Sequence, residues 1–497
     1  MVIARVVDGR LHVVDRLRDP IRLAAGLDAA GAIDEQTQQR AVECLRLFGE
    51  RIRDLPARCV RIVGTNTLRK ARNAPAFIAA ATRAVGHAVE VIRGREEARL
   101  IYLGVTSTLA QQAERRLVVD IGGGSTECVV GEGSTPLVTD SLFMGCVSFS
   151  QSFFSSGKIT KKRLRAARLA AQLELQSIVT RYRQLGWSRC VGASGTIKSV
   201  AQILSVNGWS ETGIDRQGLQ RLIDVMLAAG HVDDLRIEGL DGERRDVIAG
   251  GVAILAAIFD SFSIDKMQVS SGALREGLLY DLLGRISDAD VREQAIDKLM
   301  DRFAVDRTQA ERVEAVALRL LADVRDVWQL DASYAHQMLS WSARLHEIGL
   351  MISYGGYHKH GAYLIANADL PGFSREDQQF LAAIIRTHRR KIPRSVFRAL
   401  PEASQSLARA LCVLLRLAVV FSRSRTSADP LPFTVKATPE RLELSFPERW
   451  LETHPLSLAD LQQEATRLAE LDVSLSFGPL APSLSASSDS SDSSEQE

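Results

Sequence analysis

The stretch 118-VVDIGGGSTE-127 decides how this chain is read. A run of β-branched residues meets Asp120, three glycines follow, and Ser125, Thr126 and Glu127 lead into a second apolar run. β-Branched residues suit strands, and consecutive glycines turn the chain while letting backbone N–H groups approach an anion closely. Leu117–Asp120 therefore reads as a short buried strand and Glu127–Val130 as the start of a second. Gly131-Glu132-Gly133 then makes a hairpin and 136-PLVTDSLF-143 a third strand. Asp120 and Glu127 would face the same space. The occupant this pattern predicts is a phosphate held by Gly122, Gly123, Gly124 and Ser125, beside two carboxylates that hold Mg²⁺ through water. A plain Gly-rich hairpin is the competing reading.

A shorter version of the pattern stands at the N-terminus. Residues 1–19, MVIARVVDGRLHVVDRLRD, read as a strand, an Asp8-Gly9 turn and a strand. They match the second and third strands of the later unit, 127-ECVVGEGSTPLVTDSLF-143. If the halves are repeats, the first lacks its opening strand and its phosphate loop. A further Gly/Ser-rich turn follows in 190-CVGASGTIKSVAQIL-204, where a strand ends and a helix begins at once. Gly192, Ser194, Gly195 and Thr196, with Lys198, make a second natural anion site at a helix N-terminus. Ser194 or Thr196 acting as an ordinary helix cap is the competing reading.

The 497 residues leave room for two to four domains, and 46% hydrophobic with 25% charged residues is ordinary for a globular protein. The net charge of +2 hides strong local clustering. No run approaches the roughly eighteen apolar residues of a membrane span, and the first ten residues have no signal-peptide pattern. Six cysteines without a C-x-x-C pair suit reduced, buried thiols in a cytoplasmic protein; the inner face of the cell membrane is a second expected location. The Ser-rich acidic tail, 479–497, has too little apolar surface to fold alone and is expected to be disordered.

These stretches, with 63-VGTNTLRKARN-73, 92-IRGREEARLIYLGV-105, 144-MGCVSFS-150 and 271-SGALREGLLY-280, resemble the exopolyphosphatase/guanosine pentaphosphate phosphatase family. Further on, 345-LHEIGL-350, 358-HKHGAYLIANADLPGF-373 and 414-LLRLAVVF-421 resemble the helical half of its long bacterial members. The resemblance runs from Met1 to about residue 475 and implies an α/β fold. That fold has two actin-like, RNase H-type subdomains, followed by an all-α HD-like domain and a small α+β unit. The expected boundaries are 1–98, 99–282, 283–430 and 431–478. The resemblance also implies hydrolysis of a terminal phosphoanhydride in the cleft between the subdomains, with Mg²⁺ required and K⁺ stimulating.

Carried over residue by residue, the resemblance makes Glu97 the general base that activates water, with its neighbour Glu96 as a rival. Arg69 becomes the phosphate-contacting arginine, for which a forked guanidinium is suited. Asp120 and Glu127 become the metal-site acids, and Gly122–Ser125 and Gly192–Thr196 the phosphate loops. Arg244 and Arg275 are further candidates, each equally able to pair with a nearby acid and hold the cleft wall. One departure matters: family members begin with a strand and a D-x-G-S-N-S loop ahead of the segment matching MVIARVVDG. The expectation is that the sequence starts at an internal methionine.

From about residue 283 the pattern turns helical, and His336, His346, His358, His360 and His388 fall there. The 345-LHEIGL-350 segment resembles an HD-type metal phosphohydrolase with Glu347 where an Asp ligand would stand, so histidines packed in a bundle are expected rather than a metal centre. Basic runs at 158–168 and 386–398 would guide a linear polyanion. No aromatic stacking platform accompanies them, so nucleic acid is not an expected partner. The leading function is exopolyphosphatase. Conversion of pppGpp to ppGpp, a non-catalytic polyphosphate-binding protein and a metal-centred HD hydrolase are the alternatives, and a homodimer is the expected assembly.

Overall fold

The computed structural model describes residues 1–7, 10–28, 30–109, 114–286, 290–425 and 433–480. The chain packs as two compact units, Met1–Ala295 with Asp369–Arg375, and Ile296–Ala368 with the residues from Glu376 onward.

The first unit is built on a six-stranded sheet in the order β7-β6-β5-β8-β10-β9. Its centre is β5 (Arg115–Ile121), antiparallel to β6 (Thr126–Glu132) and parallel to β8 (Arg189–Ala193). β7 (Thr135–Leu142) completes the hairpins, while β10 (Lys266–Val269) and β9 (Ile214–Asp215) extend the far side. The strands expected around the glycine loop are present, the first two longer by a few residues and the third shifted by one. Side chains on β5 alternate between faces, as a period of two requires. Leu117, Val119 and Ile121 join a core with the helices Lys161–Leu185 and Arg245–Phe262, while Val118 packs with the helix Gly94–Thr106. Covered on both faces, the strand carries a continuous apolar run rather than an alternating one.

The N-terminal strands form smaller sheets. β1 (Val2–Val7) and β2 (Arg10–Arg16) pair antiparallel with a bulge between Ile3 and Ala4; their expected Asp8-Gly9 turn lies outside the described residues. β3 (Ile62–Gly64) and β4 (Val89–Val91) pair parallel. Laid against β7-β6-β5-β8-β10, these give β2-β1 and β3-β4, with nothing among the described residues at the place of β5. The repeat expected from the sequence is thus visible in the topology, and this half of it is two separate pieces. Val6, Val7, Val13 and Val14 are 42–55% exposed on the hairpin, where Val129 and Val130 of the corresponding β6 are buried.

The second unit is mainly helical, with Arg307–Val324, Ala332–Leu345, Tyr357–Asn367 and Glu402–Phe421 its principal helices. The helical pattern begins earlier than expected, at Leu274–Ile286, and the unit boundary falls inside the helix Val291–Arg302. The β unit expected after 431 packs into the same compact unit. β11 (Thr434–Thr438), β12 (Arg441–Phe446) and β13 (Ser474–Pro479) form one sheet, tied to the helices by Arg319 Nη2 to Phe433 O at 2.7 Å and Trp328 Nε1 to Thr438 O at 2.8 Å. Residues 481–497, where disorder is expected, lie outside the described residues.

Glu402–Phe421 is long and apolar enough, by length and composition alone, to cross a membrane. No uninterrupted apolar run shows this, because Arg416 breaks it. The guanidinium is fully buried against Glu464, with Nε–Oε2 at 2.8 Å and Nη2–Oε1 at 3.1 Å, and it also donates to the carbonyl oxygens of Thr387 and Arg390. Within this unit the helix is a core element.

Candidate active site

The stretch 122-GGGS-125 links β5 to β6, and its backbone polarity is sorted by what packs beneath it. Gly122 O accepts from Cys146 N at 2.9 Å, and Gly123 O accepts from Val147 N at 2.9 Å and Ser148 N at 3.1 Å, at the start of the helix Cys146–Phe154. Among the described residues, the amides of Gly123 and Gly124 have no backbone acceptor. The carbonyls of Gly122 and Gly123 are taken, Gly122 N is held by Ser125 O at 2.9 Å, and the amides of Gly123 and Gly124 are open, which is an anion cradle. Glycine is required for close approach here. A Cβ on Gly124 would lie 2.5 Å from Asn66 Nδ2, and one on Gly145 would lie 2.4 Å from the Gly123 carbonyl.

The second loop ends β8. Ser194 opens the helix Ser194–Val206 with φ +83°, a left-handed conformation that a non-glycine residue adopts at a cost. No side chain caps this helix, so its first amides are open. Ser194 Oγ and Thr196 Oγ1 are buried without hydrogen-bond partners, which the competing reading of a plain helix cap does not explain. The Arg244 guanidinium lies against Gly195, where a Cβ would come within 1.8 Å of Nη2.

Three carboxylates converge beside these loops. Asp120 and Glu127 are register partners on β5 and β6, and the helix Gly94–Thr106 brings Glu97 toward them. Their exposures are 8%, 2% and 7%. Burial, then the negative charge of Glu97, pushes Asp120 up to about 7, with Lys198 acting in the opposite sense. Glu127 is raised well above the usual carboxylate range by burial, then by Glu97 and Asp120, against the Ser141 hydroxyl at 2.8 Å and that of Ser125. Glu97 is raised by burial and held down by Arg69 and Thr65. Arg69 Nη1 donates to Glu97 Oε2 at 2.8 Å and to Ile92 O at 2.9 Å, leaving Nε and Nη2 without protein partners among the described residues. One side of the guanidinium orients the carboxylate and the other is open to an anion.

The structure separates the rival acids. Glu96 is buried with both oxygens on Arg99, at 2.8 Å each, and does not face the loops. Arg244 lines the cleft, whereas Arg275 is exposed and near the Met1 amino group, away from the loops. Lys198 donates to Ser271 O at 3.0 Å and acts on Asp120 through its charge. Asn66, Thr65 and Ser141 are site neighbours that the sequence did not single out. The first two lie inside the motif 63-VGTNTLRKARN-73, whose density of small polar residues was the available signal.

A cleft of about 850 Å³ is lined by Thr67, Gly122, Gly123, Ser194, Gly195 and Arg244, by the apolar Ile21, Leu23, Ala24, Phe154, Val232 and Val247, and by the charged Arg18, Arg22, Glu243 and Asp246. Arg22 Nη2 donates to Glu243 O at 3.1 Å. In the second unit, His346, His358 and His388 cluster with ring centroids 5.6 Å (His346–His388) and 6.4 Å (His358–His388) apart. Among the described residues no three His, Cys, Asp or Glu side chains are placed to hold a metal directly, and Glu347 is taken by Arg425. The three histidines are buried.

Comparison with known proteins matches residues 2–286 to the Ppx/GppA phosphatase family and residues 291–465 to domain III of Ppx/GppA phosphatases. The chain belongs to the Ppx/GppA phosphatase family. It is 39% identical over 467 residues to a guanosine-5'-triphosphate,3'-diphosphate pyrophosphatase of Aeromonas hydrophila, covering 94% of each chain. It is equally 39% identical over 474 residues to the protein so named from Vibrio vulnificus, covering 95% of this chain and 94% of that one. An exopolyphosphatase from Cytophaga hutchinsonii shares the fold, with a TM-score of 0.52 and 23% identity over 57% of this chain and 94% of that one. This Ppx/GppA member thus has the actin-like α/β fold with a helical domain III, and it is a phosphoanhydride hydrolase.

Proposed function

We propose that this chain removes the terminal phosphate of guanosine pentaphosphate, taking pppGpp and water to ppGpp and orthophosphate. The observation that carries the choice over the polymer is the cleft, where apolar Ile21, Leu23, Phe154, Val232 and Val247 share the lining with Gly122, Gly123, Ser194 and Gly195 of the phosphate loops. A purine nucleoside has apolar faces to bury there, and inorganic polyphosphate has none. The printed names of the relatives at 39% identity support the same choice. This departs from exopolyphosphatase as the leading expectation. That second reading rests on the basic runs, and part of their charge is already used: Arg168 pairs with Asp260 and Arg394 with Asp472.

In this reading the amides of the two loops, with the Ser194 and Thr196 hydroxyls, bind the phosphate chain. The open side of Arg69 takes an oxygen of the terminal phosphoryl group. Glu97, oriented by Arg69, accepts the proton of the attacking water; burial raises its pKa and so strengthens it as a base, while Arg69 favours its ionised form. Asp120 and Glu127 suit Mg²⁺, because burial and mutual repulsion make their ionised forms costly and a dication relieves both. Three acids not placed for direct ligation fit a hydrated ion that keeps several waters. Bound there, Mg²⁺ supplies charge stabilisation to the transferring phosphoryl group. We extend the proposal to K⁺ as a stimulating ion only from the family resemblance.

The test compares kcat/KM for orthophosphate release from pppGpp and from long-chain polyphosphate at equal concentration of termini, in wild type and in Ala25→Trp, which fills the exposed side of the cleft. The reading expects pppGpp to be preferred and the substitution to raise its KM while sparing the polymer. Preference for the polymer, unaffected by the tryptophan, reverses it.

A further inference from the structure

Adjacent acids on the helix Gly94–Thr106 are put to different uses. Glu97 faces Arg69 and the phosphate loops, whereas Glu96 is bound by Arg99 and accepts from Gly372 N at 3.0 Å. Gly372 lies in Asp369–Arg375, a short segment that packs with the first unit although its sequence neighbours belong to the second. The segment is held at both ends of its reach: Asp369 takes Arg95 Nη1 at 2.7 Å, and Gly372 O takes Arg285 Nη2 at 2.6 Å. Gly372 has φ +84°, and a Cβ there would lie 2.6 Å from Val291 Cγ1, so the bond to Glu96 depends on glycine.

The same face of the helix is tied to a further segment through Arg99, which binds Asp281 as well as Glu96. Asp281, with its side chain 3% exposed, accepts from Arg61 Nη1 at 2.5 Å, from Arg285 Nε at 3.1 Å, and from Arg99. It thereby joins the strand end of β3, the helix Leu274–Ile286 and the helix that carries Glu97. The two helices touch through glycines, since a Cβ on Gly277 would meet Leu100 O at 1.8 Å and one on Gly104 would meet Ala273 O at 2.0 Å. Backbone contact of this kind leaves little freedom to slide, and the Glu96 and Asp281 bonds fix what remains.

We propose that Glu96 and Asp281 are positioning residues for the hydrolysis, holding the rotation and height of the helix Gly94–Thr106 so that Glu97 faces Arg69 and the phosphate loops. The proposal rests on the reading of Glu97 as the base. Misplacing a reacting group by about 1 Å costs on the order of 10²-fold in rate, without a matching loss of ground-state binding. The experiment measures kcat, KM for pppGpp and melting temperature in wild type, Glu96→Gln, Asp281→Asn and Glu97→Gln. Glu96→Gln and Asp281→Asn are expected to lower kcat by roughly 10- to 100-fold, with KM within about twofold and the protein folded at assay temperature. If either buried variant fails to fold, Arg285→Gln, which leaves Asp281 with two arginines, carries the same split. A kcat within twofold of wild type in the folded variants, or a loss confined to KM, overturns the proposal. Glu97→Gln separates the failures. Full turnover there sinks the base assignment and this proposal with it, whereas a dead Glu97→Gln beside a wild-type-like Glu96→Gln sinks the positioning role alone.

Discussion

Arg69 is the residue on which the chemistry of the site can be tested most directly. It is the only guanidinium hydrogen-bonded to Glu97 among the described residues, at 2.8 Å, and the two side chains are 20% and 10% exposed. Opposite charges at about 4 Å attract by roughly 4 kcal/mol at an effective dielectric of 20. In Arg69→Gln that attraction is lost while burial and the charges of Asp120 and Glu127 remain, so the folded-state pKa of Glu97 moves further up. A base must be ionised to act, so the loss is largest at low pH and shrinks as pH rises. The assay is kcat/KM for pppGpp against pH, across roughly pH 6 to 10, for wild type, Arg69→Lys and Arg69→Gln. Near pH 7 the glutamine variant is expected to fall by about 10²-fold or more, with the deficit narrowing toward alkaline pH. Lysine keeps the charge but not the fork that also reaches Ile92 O, and should lie between. A pH-independent loss would show that Arg69 serves only to bind substrate, and an unchanged acid limb in Arg69→Gln refutes the coupling to Glu97.

Thr196→Val removes a buried hydroxyl that has no partner, so the melting temperature should hold or rise slightly, by no more than about 1 kcal/mol in stability, while KM for pppGpp increases; a clear drop in stability contradicts the open-donor reading. Glu464→Ala leaves Arg416 buried and unpaired and should destabilise the second unit by about 3–5 kcal/mol, much of it recovered in Glu464→Leu with Arg416→Met, as read by denaturant melts. His346, His358 and His388 are buried and pulled down by burial first, His358 to about 4. Because the unfolded chain takes up their protons near pH 6.5 and the folded one does not, stability is full above that pH and falls below it. The thermal midpoint of the second unit should drop between about pH 7 and 5, and His388→Phe should lessen the drop; an equal drop in the variant assigns the effect elsewhere.

What was legible in the sequence is what neighbouring residues decide. The β-branched run of β5, the glycine turn and the strand-to-helix turn at 192–196 are local, and the first and last of them mark strands at the centre of the sheet. The rest depends on distant segments meeting. Asn66 against Gly124 joins two elements far apart in sequence. Glu96 and Glu97 look alike until the rotation of one helix is known, and that rotation is set by Asp281 and Gly372, far along the chain. Arg275 matched a motif yet came to rest near Met1. Arg416 hid a core helix by interrupting it, and only Glu464 explains why the interruption is tolerated.

The site's own instability is part of the argument for what it does. A fold free to choose would not bury three carboxylates within mutual repulsion, leave two hydroxyls without partners and hold Ser194 at φ +83°. Each feature costs on the order of 1–3 kcal/mol. The costs fall together, around the glycine loop and the neighbouring strand-to-helix turn, while the surrounding sheet and the Gly94–Thr106 helix are packed. Open donors call for an anion, and repelling acids call for a cation or a proton. A phosphate chain with a hydrated dication meets both demands in one ligand, and neither a structural hairpin nor a helix cap meets either.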